Sequence, residues 1–368
     1  MSRARKRAAH FLLLPELAHS PPNEAIVSAL LDLGYDVDLF SPDPGSAQTH
    51  SYGPRVCSLP TQYGSRWLLK NALSSRWRSY DIFSATSEVP LANAGVLSWL
   101  HRKRSFLLVD EIKSGSYYGD SPELLKKLCR WAMRRTVFNI VNDESRIGLL
   151  RDYAGLGPRN MVIIYPGCYR QPPAIADRNA LRRQWGIVPS ALVIGASGGF
   201  NLTTGAGWLL EAMQSDPSLH AVIQPLGVDP LARFLLEHVQ VRERLYIENR
   251  RLGWEEAWAT APGVDIGLAI YTNPAPQFQN MGISSNRLCM YLAMGVPVIA
   301  SRQPSFRFLE EYDCGVLVSS AQEMVAAVDF IRPRLAQMKA NALRCAREYI
   351  DAPGRYQQLH RLIAGLSR

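Results

Sequence analysis

The sequence predicts an α/β protein built from two doubly wound, Rossmann-like domains. Its 368 residues exceed what one ordinary hydrophobic core encloses, and short strand-like and helix-like runs alternate along nearly the whole chain. The alternation pauses at residues 167–175, where two adjacent prolines favour a linker. We therefore expect one domain over residues 1–170, a second over residues 171–350, and a C-terminal helical segment over residues 351–368.

The first domain begins with a predicted β-α-β unit. Residues 8–15 have the length and apolar content of a buried strand, residues 23–33 form a helix closed by Gly34, and residues 35–41 form the next strand. The short connections between them predict a parallel sheet. Further strands are predicted at residues 82–83, 106–110, 136–142 and 161–165, with helices at residues 67–75, 91–100, 122–135 and 143–153.

The second domain repeats this alternation after a lead-in helix at residues 178–185. Its predicted strands cover residues 191–196, 220–226, 245–248, 265–269, 297–301 and 315–318. The predicted helices cover residues 205–214, 230–239, 254–260, 306–311 and 321–331, followed by a helical tail at residues 335–350 and 356–366. Ligand sites in such folds lie at the carboxyl ends of the parallel strands.

Composition excludes several classes of protein. With 47% hydrophobic and 20% charged residues, the chain is globular rather than disordered. No apolar run approaches the roughly 20 residues of a membrane-spanning helix. The basic N-terminus is not followed by a signal-peptide core, so we expect a cytoplasmic protein. Six cysteines without a C-x-x-C pair or a neighbouring His cluster predict buried free thiols and no metal site.

Positive charge is concentrated in the first domain. Residues 1–175 contain 22 Lys and Arg against 15 Asp and Glu. Residues 122–135 are predicted to form a basic amphipathic helix whose apolar face consists of Leu124, Leu125, Leu128, Trp131 and Ala132. The basic face suits either solvent or an anionic membrane surface, and both interpretations stay open. No nucleic-acid-binding motif accompanies the charge, so we do not expect a nucleic acid as partner.

Residues 284–301 carry the most informative motif, Ser-Ser-Asn-Arg-Leu-Cys-Met-Tyr-Leu-Ala-Met-Gly-Val-Pro-Val-Ile-Ala-Ser. The pattern predicts a polar loop and a short helix with Leu288, Tyr291 and Leu292 on its inner side. Gly295 then ends the helix, and a short buried strand follows.

The polar start of this helix has the chemistry of an anion site. Ser284, Ser285 and Asn286 provide small polar side chains next to unpaired first-turn amides and the positive end of the helix dipole. Arg287 adds a fork of donors suited to phosphate oxygens. The spacing alone is compatible with a phosphate site and equally with an ordinary loop–helix–strand unit.

The motif resembles the donor-binding segment of glycosyltransferase family 4, also called the group 1 glycosyl transferases. The family form is Asn-Lys-x-x-Glu-Tyr-Met-Ala-x-Gly-x-Pro-Val-Ile-Ala, and the matching residues are Asn286, Arg287, Tyr291, Ala293, Gly295, Pro297, Val298, Ile299 and Ala300. Met290 replaces the glutamate that usually holds the ribose of the nucleotide sugar. Some divergent bacterial relatives also lack this glutamate, so the chain resembles a divergent branch of the family.

The resemblance implies the GT-B fold, in which two Rossmann-like domains face a cleft. The second domain is then expected to bind a UDP- or GDP-linked sugar, and the first domain to bind the acceptor. The segment after residue 351 resembles the family helix that crosses back to the first domain. Sugar transfer with retention of configuration, without a bound metal or a separate cofactor, is the implied reaction.

A glycine-rich loop at residues 195–205 corresponds to the loop that contacts the diphosphate in the family. Glycine permits close approach of the backbone to a ligand. The resemblance implies that Gly199, Asn201, Thr204 and Gly205 lie beside the donor. Gly199 and the Thr204–Gly205 pair stand where the family usually has an Arg and a Lys-Gly pair, so the two most familiar phosphate cations are absent.

Other candidate side chains follow predicted strands. Tyr271 either stacks on the base or sugar of the donor or merely caps a surface loop. Asp110 and Glu111 are candidates for an acid, a base or an anchor of the acceptor hydroxyl. Together with Arg287, which would stabilise the leaving diphosphate, they are the expected catalytic residues. Asp143 is interpreted as a helix cap.

We therefore predict a glycosyltransferase that moves a sugar from a nucleotide sugar to a hydroxyl of a glycan or lipid-linked glycan, in bacterial-type surface polysaccharide assembly. Such an enzyme could rest on the inner membrane face through its basic surface. One alternative is a non-catalytic GT-B partner that scaffolds an active transferase. Another is a GT-B sugar-nucleotide epimerase, for which Glu16, His19, Asp110 and Glu111 are the available acid and base groups.

Overall fold

The structure is a computed structural model that describes residues 5–13, 20–42, 53–112, 122–172, 174–228, 233, 237, 240–248, 250, 252 and 254–366. Its internal contacts divide the chain into two compact units. The first unit consists of Met1–Arg170 with Ala352–Arg368, and the second consists of Gln171–Asp351. Glu16, His19 and most of the predicted helix at residues 230–239 lie outside the described residues.

The first unit contains a parallel sheet with the strand order β3-β2-β1-β4-β5-β6-β7 over the described residues. Its strands are β1 Lys6–Phe11, β2 Tyr35–Ser41, β3 Val56–Pro60, β4 Ile82–Thr86, β5 Arg104–Leu108, β6 Phe138–Val141 and β7 Met161–Ile164. Its helices are α1 Pro21–Asp32, α2 Ser65–Asn71, α3 Glu88–Leu100, α4 Glu123–Arg135, α5 Ser145–Ala154 and, from the end of the chain, α13 Ala352–Gly365. The edge strand β3 was not predicted, because only its first residue is buried.

Helices cover both faces of this sheet. α1 and α13 pack on one face, where Tyr35, Phe106 and Phe138 belong to the same buried cluster as Leu359. α3, α4 and α5 pack on the other face, where a second cluster contains many aromatic side chains. Burial of apolar surface on both faces is what a parallel sheet requires, and it confirms the predicted doubly wound fold class.

The apolar face of α4 agrees with the sequence prediction except at its first residue. Leu125, Leu128, Trp131 and Ala132 pack against the core, whereas Leu124 is 69% exposed. The fully buried positions of α4 are Cys129, Ala132 and Met133. A Cβ placed on Gly95 of α3 would lie 2.3 Å from the Cβ of Ala132, so the two helix backbones approach closely at this point. This contact fixes the rotation of α4 and leaves Leu124 outside the core.

The second unit contains a parallel sheet with the order β10-β9-β8-β11-β12-β13 over the described residues. Its strands are β8 Leu192–Phe200, β9 Leu219–Val228, β10 Leu245–Ile247, β11 Ile266–Ala269, β12 Val298–Ser301 and β13 Gly315–Val318. Its helices are α6 Arg178–Gln184, α7 Ala206–Ser215, α8 Trp254–Thr260, α9 Asn286–Ala293, α10 Phe308–Glu311, α11 Ala321–Ile331 and α12 Leu335–Cys345. The predicted inner positions of the motif helix, Leu288, Tyr291 and Leu292, are all buried in α9.

The six cysteines are all free in the structure, but they are not all buried. Cys57 on the edge strand β3 is exposed, whereas the other five are buried. The prediction of buried thiols was therefore wrong for this position, because an edge strand presents part of its side chains to solvent. Within the described ranges, no helix is both long enough and apolar enough to cross a membrane.

A buried polar network lies within the core of the first unit. His10 of β1 is fully buried, and its Nδ1 lies 2.8 Å from Ser84 Oγ on the neighbouring strand. The other ring nitrogen, Nε2, lies 3.1 Å from Asn23 Oδ1 near the start of α1, and Thr86 Oγ1 donates to the same oxygen. Burial lowers the pKa of His10 to about 4, so the imidazole is neutral at neutral pH.

This histidine should make the stability of the protein depend on pH. Its pKa in the folded protein is lower than in the unfolded chain, so the unfolded chain binds the proton first as the pH falls. The free energy of unfolding should therefore decrease by about 3 kcal/mol between pH 6.5 and pH 4. Urea unfolding of the wild type and of His10→Gln across this range measures the effect. Equal pH slopes for the two proteins would contradict the prediction.

Candidate functional site

The glycine-rich segment of the second unit is partly strand. β8 extends to Phe200 instead of ending at residue 196, with a register irregularity against β9 between Gly198 and Phe200. Gly198 has a φ of +87°, a conformation that favours glycine. A short 3₁₀ helix at Leu202–Thr204 then leads into α7. The expected loop is therefore a distorted strand end followed by a tight turn.

Arg287 extends from the first turn of α9 to this strand end. Its side chain is 8% exposed, and Nη2 donates to the carbonyl oxygen of Gly199 at 2.5 Å. A Cβ on Gly198 would lie 3.2 Å from Nη2, so the absence of a side chain there makes room for the guanidinium. Nη1 is buried and has no hydrogen-bond partner among the described residues. A buried guanidinium with an unpaired donor nitrogen has hydrogen-bonding capacity that an anion would satisfy.

The segment before α7 is bound to the segment that follows β11. Thr204 Oγ1 also donates to the Gly199 carbonyl, at 2.9 Å, so Thr204 and Arg287 share one acceptor. Thr272 N donates to Thr203 O at 2.9 Å. Gly205 has a φ of +95°, and a Cβ there would lie 2.7 Å from Ile270 Cβ. These contacts hold the start of α7 beside the end of β11.

Tyr271 links the end of β11 to the motif helix. Its hydroxyl group lies 2.6 Å from Ser285 Oγ, and Ser285 Oγ in turn accepts a hydrogen bond from Leu288 N as the N-cap of α9. The guanidinium carbon of Arg287 lies 5.5 Å from the centre of the Tyr271 ring, within the range of a cation–π contact. Tyr271 is buried and therefore positions the cation and the cap; it is not a capping aromatic on the surface.

The other residues predicted to bind the nucleotide sugar make local contacts within the second unit. Asn201 Oδ1 caps the 3₁₀ helix by accepting from Thr203 N and Thr203 Oγ1, at 2.9 and 2.8 Å. Thr204 Oγ1 completes this capping box by accepting from Asn201 N. Ser284 Oγ donates to Met281 O, and Asn286 is exposed at the start of α9. Among the residues predicted to bind the nucleotide sugar, Asn286 therefore has the most accessible side chain.

Several contacts that support this site were not identified from the sequence. The ring of Tyr291 lies against Gly267 and Gly195, where a Cβ would come within 2.2 and 2.9 Å of its atoms. Two glycines in adjacent strands, β8 and β11, are a usable signal for such close approach. Ser301 Oγ accepts from Tyr271 N at 3.1 Å, and Gln303 Nε2 donates to the same oxygen at 3.1 Å. These two contacts depend on tertiary packing and left no pattern in the sequence.

Asp110 and Glu111 follow β5 in the first unit. The backbone carbonyl oxygen of Asp110 accepts a hydrogen bond from Arg146 Nη1 at 2.6 Å. The carboxylate oxygen Oδ1 of Asp110 accepts one from Glu111 N at 3.0 Å. Burial raises the pKa of Asp110 to about 7, and the negative charge of Glu111 adds to the rise. A carboxyl group that titrates near neutral pH can both accept and release a proton. Asp143 Oδ1 accepts from Ser145 N at 2.9 Å, but the N-cap residue of α5 is Glu144, so Asp143 lies one position before the predicted cap.

The described part of the chain contains no obvious set of metal ligands. There, no group of three or more His, Cys, Asp or Glu side chains has the arrangement that could hold an ion. The candidate site in the second unit is built from donors and from a cation instead, which suits an anionic ligand.

No protein-family model matches this chain, and no curated protein matches it. Solved structures do resemble it over nearly its whole length. Sucrose-phosphate synthase from Thermosynechococcus elongatus has 15% identity and a TM-score of 0.73, covering 98% of this chain and 99% of that one. HepE from Anabaena, in complex with UDP, has 15% identity and a TM-score of 0.74, covering 98% and 100%. A glycosyltransferase from Rickettsia africae has 13% identity and a TM-score of 0.76, covering 99% and 98%.

These similarities define the fold class. The chain has the GT-B fold of glycosyltransferases, with two parallel-sheet Rossmann-like domains, as the sequence predicted. HepE has also been solved with UDP and glucose and with UDP-glucose. At these low identities the likeness concerns the fold, and the chemistry of this chain must be argued from its own residues.

Proposed function

We propose that this protein is a glycosyltransferase of the family 4 type that binds a nucleotide sugar in its second unit. The observation that carries the proposal is the free Nη1 of Arg287, a buried cation held beside the Gly199 carbonyl. A buried guanidinium with an unused donor has the charge and geometry to bind a diphosphate. UDP is the preferred candidate nucleotide, because HepE binds UDP within the same fold.

The reaction would transfer the sugar to a hydroxyl group of a glycan or a lipid-linked glycan. The acceptor oxygen bonds to the anomeric carbon as the bond from that carbon to the diphosphate oxygen breaks. Arg287 and the first-turn amides of α7 and α9 would stabilise the negative charge that develops on the leaving diphosphate. Stabilisation by fixed donors needs no metal, and the proposed reaction retains the anomeric configuration, as in the family.

Asp110 is proposed to act on the acceptor side of the reaction. Its pKa of about 7 would let it accept the proton of the attacking hydroxyl near neutral pH. Glu111, which is exposed, would anchor another acceptor hydroxyl. The proposed setting is surface polysaccharide assembly on the cytoplasmic side of a membrane.

Substitution of Arg287 tests the donor site. Arg287→Ala should weaken UDP binding by about 1.5–3 kcal/mol, or about 10- to 150-fold in Kd, because a charge-assisted hydrogen bond is lost. Arg287→Lys should recover part of this affinity, because an ammonium group keeps the charge but cannot make the bidentate hydrogen bonds of a guanidinium to two oxygens. Isothermal titration calorimetry with UDP and with GDP measures both effects and identifies the base.

Arg332→Ala is the control for this test. Arg332 is a cation of the second unit that, unlike Arg287, is exposed, and it pairs with Asp216 at 2.9 Å after the end of α7. Its replacement should leave UDP binding unchanged. Equal UDP affinity of Arg287→Ala and wild type would place the donor site elsewhere. Tight UDP binding without turnover of any nucleotide sugar would favour the non-catalytic scaffold instead.

A further inference from the structure

An apolar and basic surface of the first unit lies away from the residues discussed so far. Two leucines of α2 and its C-terminal turn are among the most exposed apolar side chains described, Leu69 at 80% and Leu73 at 86%. At the end of α3, Trp99 is 52% exposed and Leu100 is 39% exposed. We call this the α2–α3 surface. Exposed apolar side chains grouped in this way mark an interaction site.

Direct contact joins the two parts of the α2–α3 surface. His101 Nε2 lies 2.7 Å from the carbonyl oxygen of Ala72. Leu73 follows Ala72 and Leu100 precedes His101, so this hydrogen bond brings the exposed leucines of both helices to one region. The ring of Trp99 packs edge-on against Trp131 of α4 at 5.8 Å, which holds its exposed part in place.

Cations lie next to these apolar side chains along the chain. Arg66, Lys70 and Arg102 are exposed beside them, and Lys103 is partly exposed. Residues 61–80 and 89–109 contain no Asp or Glu, so no acidic side chain of these segments neutralises the cations. An open groove of about 530 Å³ extends the surface and is lined by Ser98, Trp99, Leu100, Arg102, Lys103, Ser105 and Arg135.

We propose that the α2–α3 surface docks on an anionic lipid bilayer. Trp and Leu side chains insert at the boundary between head groups and acyl chains, while Lys and Arg attract acidic lipids. A second copy of this chain is a poor occupant, because self-association through this face would bring like charges together. The proposal goes beyond the donor site and does not depend on it.

The basic face of α4 is a less suitable membrane contact than the sequence suggested. Arg130 pairs with Glu123 at 2.8 Å, and Arg134 Nη1 donates to the carbonyl oxygen of Ala154 at 3.1 Å. Two of its cations are therefore engaged within the protein, and an acidic side chain lies among them. Arg135 at the end of α4 belongs to the groove of the α2–α3 surface, whereas Lys126 and Lys127 do not line it, so these two lysines serve as the control.

Vesicle flotation at low salt tests the proposal with the full chain. Wild type should float with vesicles of phosphatidylglycerol and phosphatidylcholine, and much less with phosphatidylcholine alone. Leu69→Ser with Leu73→Ser, and separately Lys70→Glu with Lys103→Glu, should each weaken partitioning at least about tenfold. The control pair Lys126→Glu with Lys127→Glu should change it by less than about threefold, although it reverses the same number of charges.

Three results would overturn the proposal. The first is that wild type does not bind phosphatidylglycerol vesicles at low salt. The second is that the α4 control pair loses vesicle binding as fully as the α2–α3 variants. The third is that light scattering shows a dimer that the leucine variants dissociate. UDP binding is measured on every variant and should match wild type. Loss of vesicle binding with intact UDP binding separates this proposal from the donor site, and circular dichroism excludes unfolding of the variants.

Discussion

Replacing Asp265 with Ala should lower the free energy of unfolding by about 3–5 kcal/mol, because it leaves a buried arginine without its counter-ion. Asp265 precedes β11 and is 1% exposed, and Arg182 of α6 is fully buried. Arg182 Nη2 donates to Asp265 Oδ2 at 2.5 Å, and Val193 N donates to the same oxygen at 3.0 Å. Urea denaturation followed by tryptophan fluorescence measures the change.

The same carboxylate connects several elements of the second unit. Arg178 Nη2 approaches Asp265 Oδ1 at 2.6 Å, and Lys339 of α12 approaches it at 3.3 Å. Glu256→Ala is a suitable control, because Glu256 forms an ion pair with Arg250 at 3.8 Å and is largely exposed. This control should cost less than about 1 kcal/mol. An Asp265→Ala effect as small as that of the control would show that the buried network is dispensable.

Met290→Glu should cost about 2–4 kcal/mol of stability at neutral pH, because it places a carboxylate on a buried face. Met290 is 3% exposed, and its neighbours Leu288, Cys289, Tyr291 and Leu292 in α9 are also buried. Burial should raise the pKa of the introduced carboxyl above its unfolded value. The penalty should therefore shrink as the pH falls and the group becomes protonated, which denaturation at several pH values detects.

The same substitution tests whether position 290 contacts the donor. In the family that the motif resembles, the glutamate at this place holds the ribose, so the variant restores the usual residue. We expect no gain in UDP affinity, since the surrounding positions are packed. Met290→Gln separates the effect of charge from that of shape. Tighter UDP binding by Met290→Glu than by Met290→Gln would instead show that this position faces the ribose and that the wild type has lost a contact.

The donor-side segments were predictable because each carries a local pattern. The motif at residues 284–301 specifies a capped helix, a glycine stop and a strand, and the structure contains all three. The part played by each side chain was less predictable. The side-chain oxygens of Asn201 and Thr204 bond within their own turn, and their contact with the nucleotide sugar stays a prediction. Short polar side chains next to a turn favour such local bonds, which sequence spacing does not distinguish from ligand contacts.

The sequence by itself determined the α/β alternation, the parallel sheets and the two-domain fold, because these follow from hydrophobic periodicity and from short connections. Only the tertiary structure decided which contacts complete the site. The bond from Arg287 to Gly199 joins residues 88 positions apart, and the packing of Tyr291 on Gly267 depends on how α9 lies across the sheet. The exposure of Leu124 was likewise set by the rotation of α4 against α3. Local patterns specify elements, whereas distances between distant residues follow from how those elements pack.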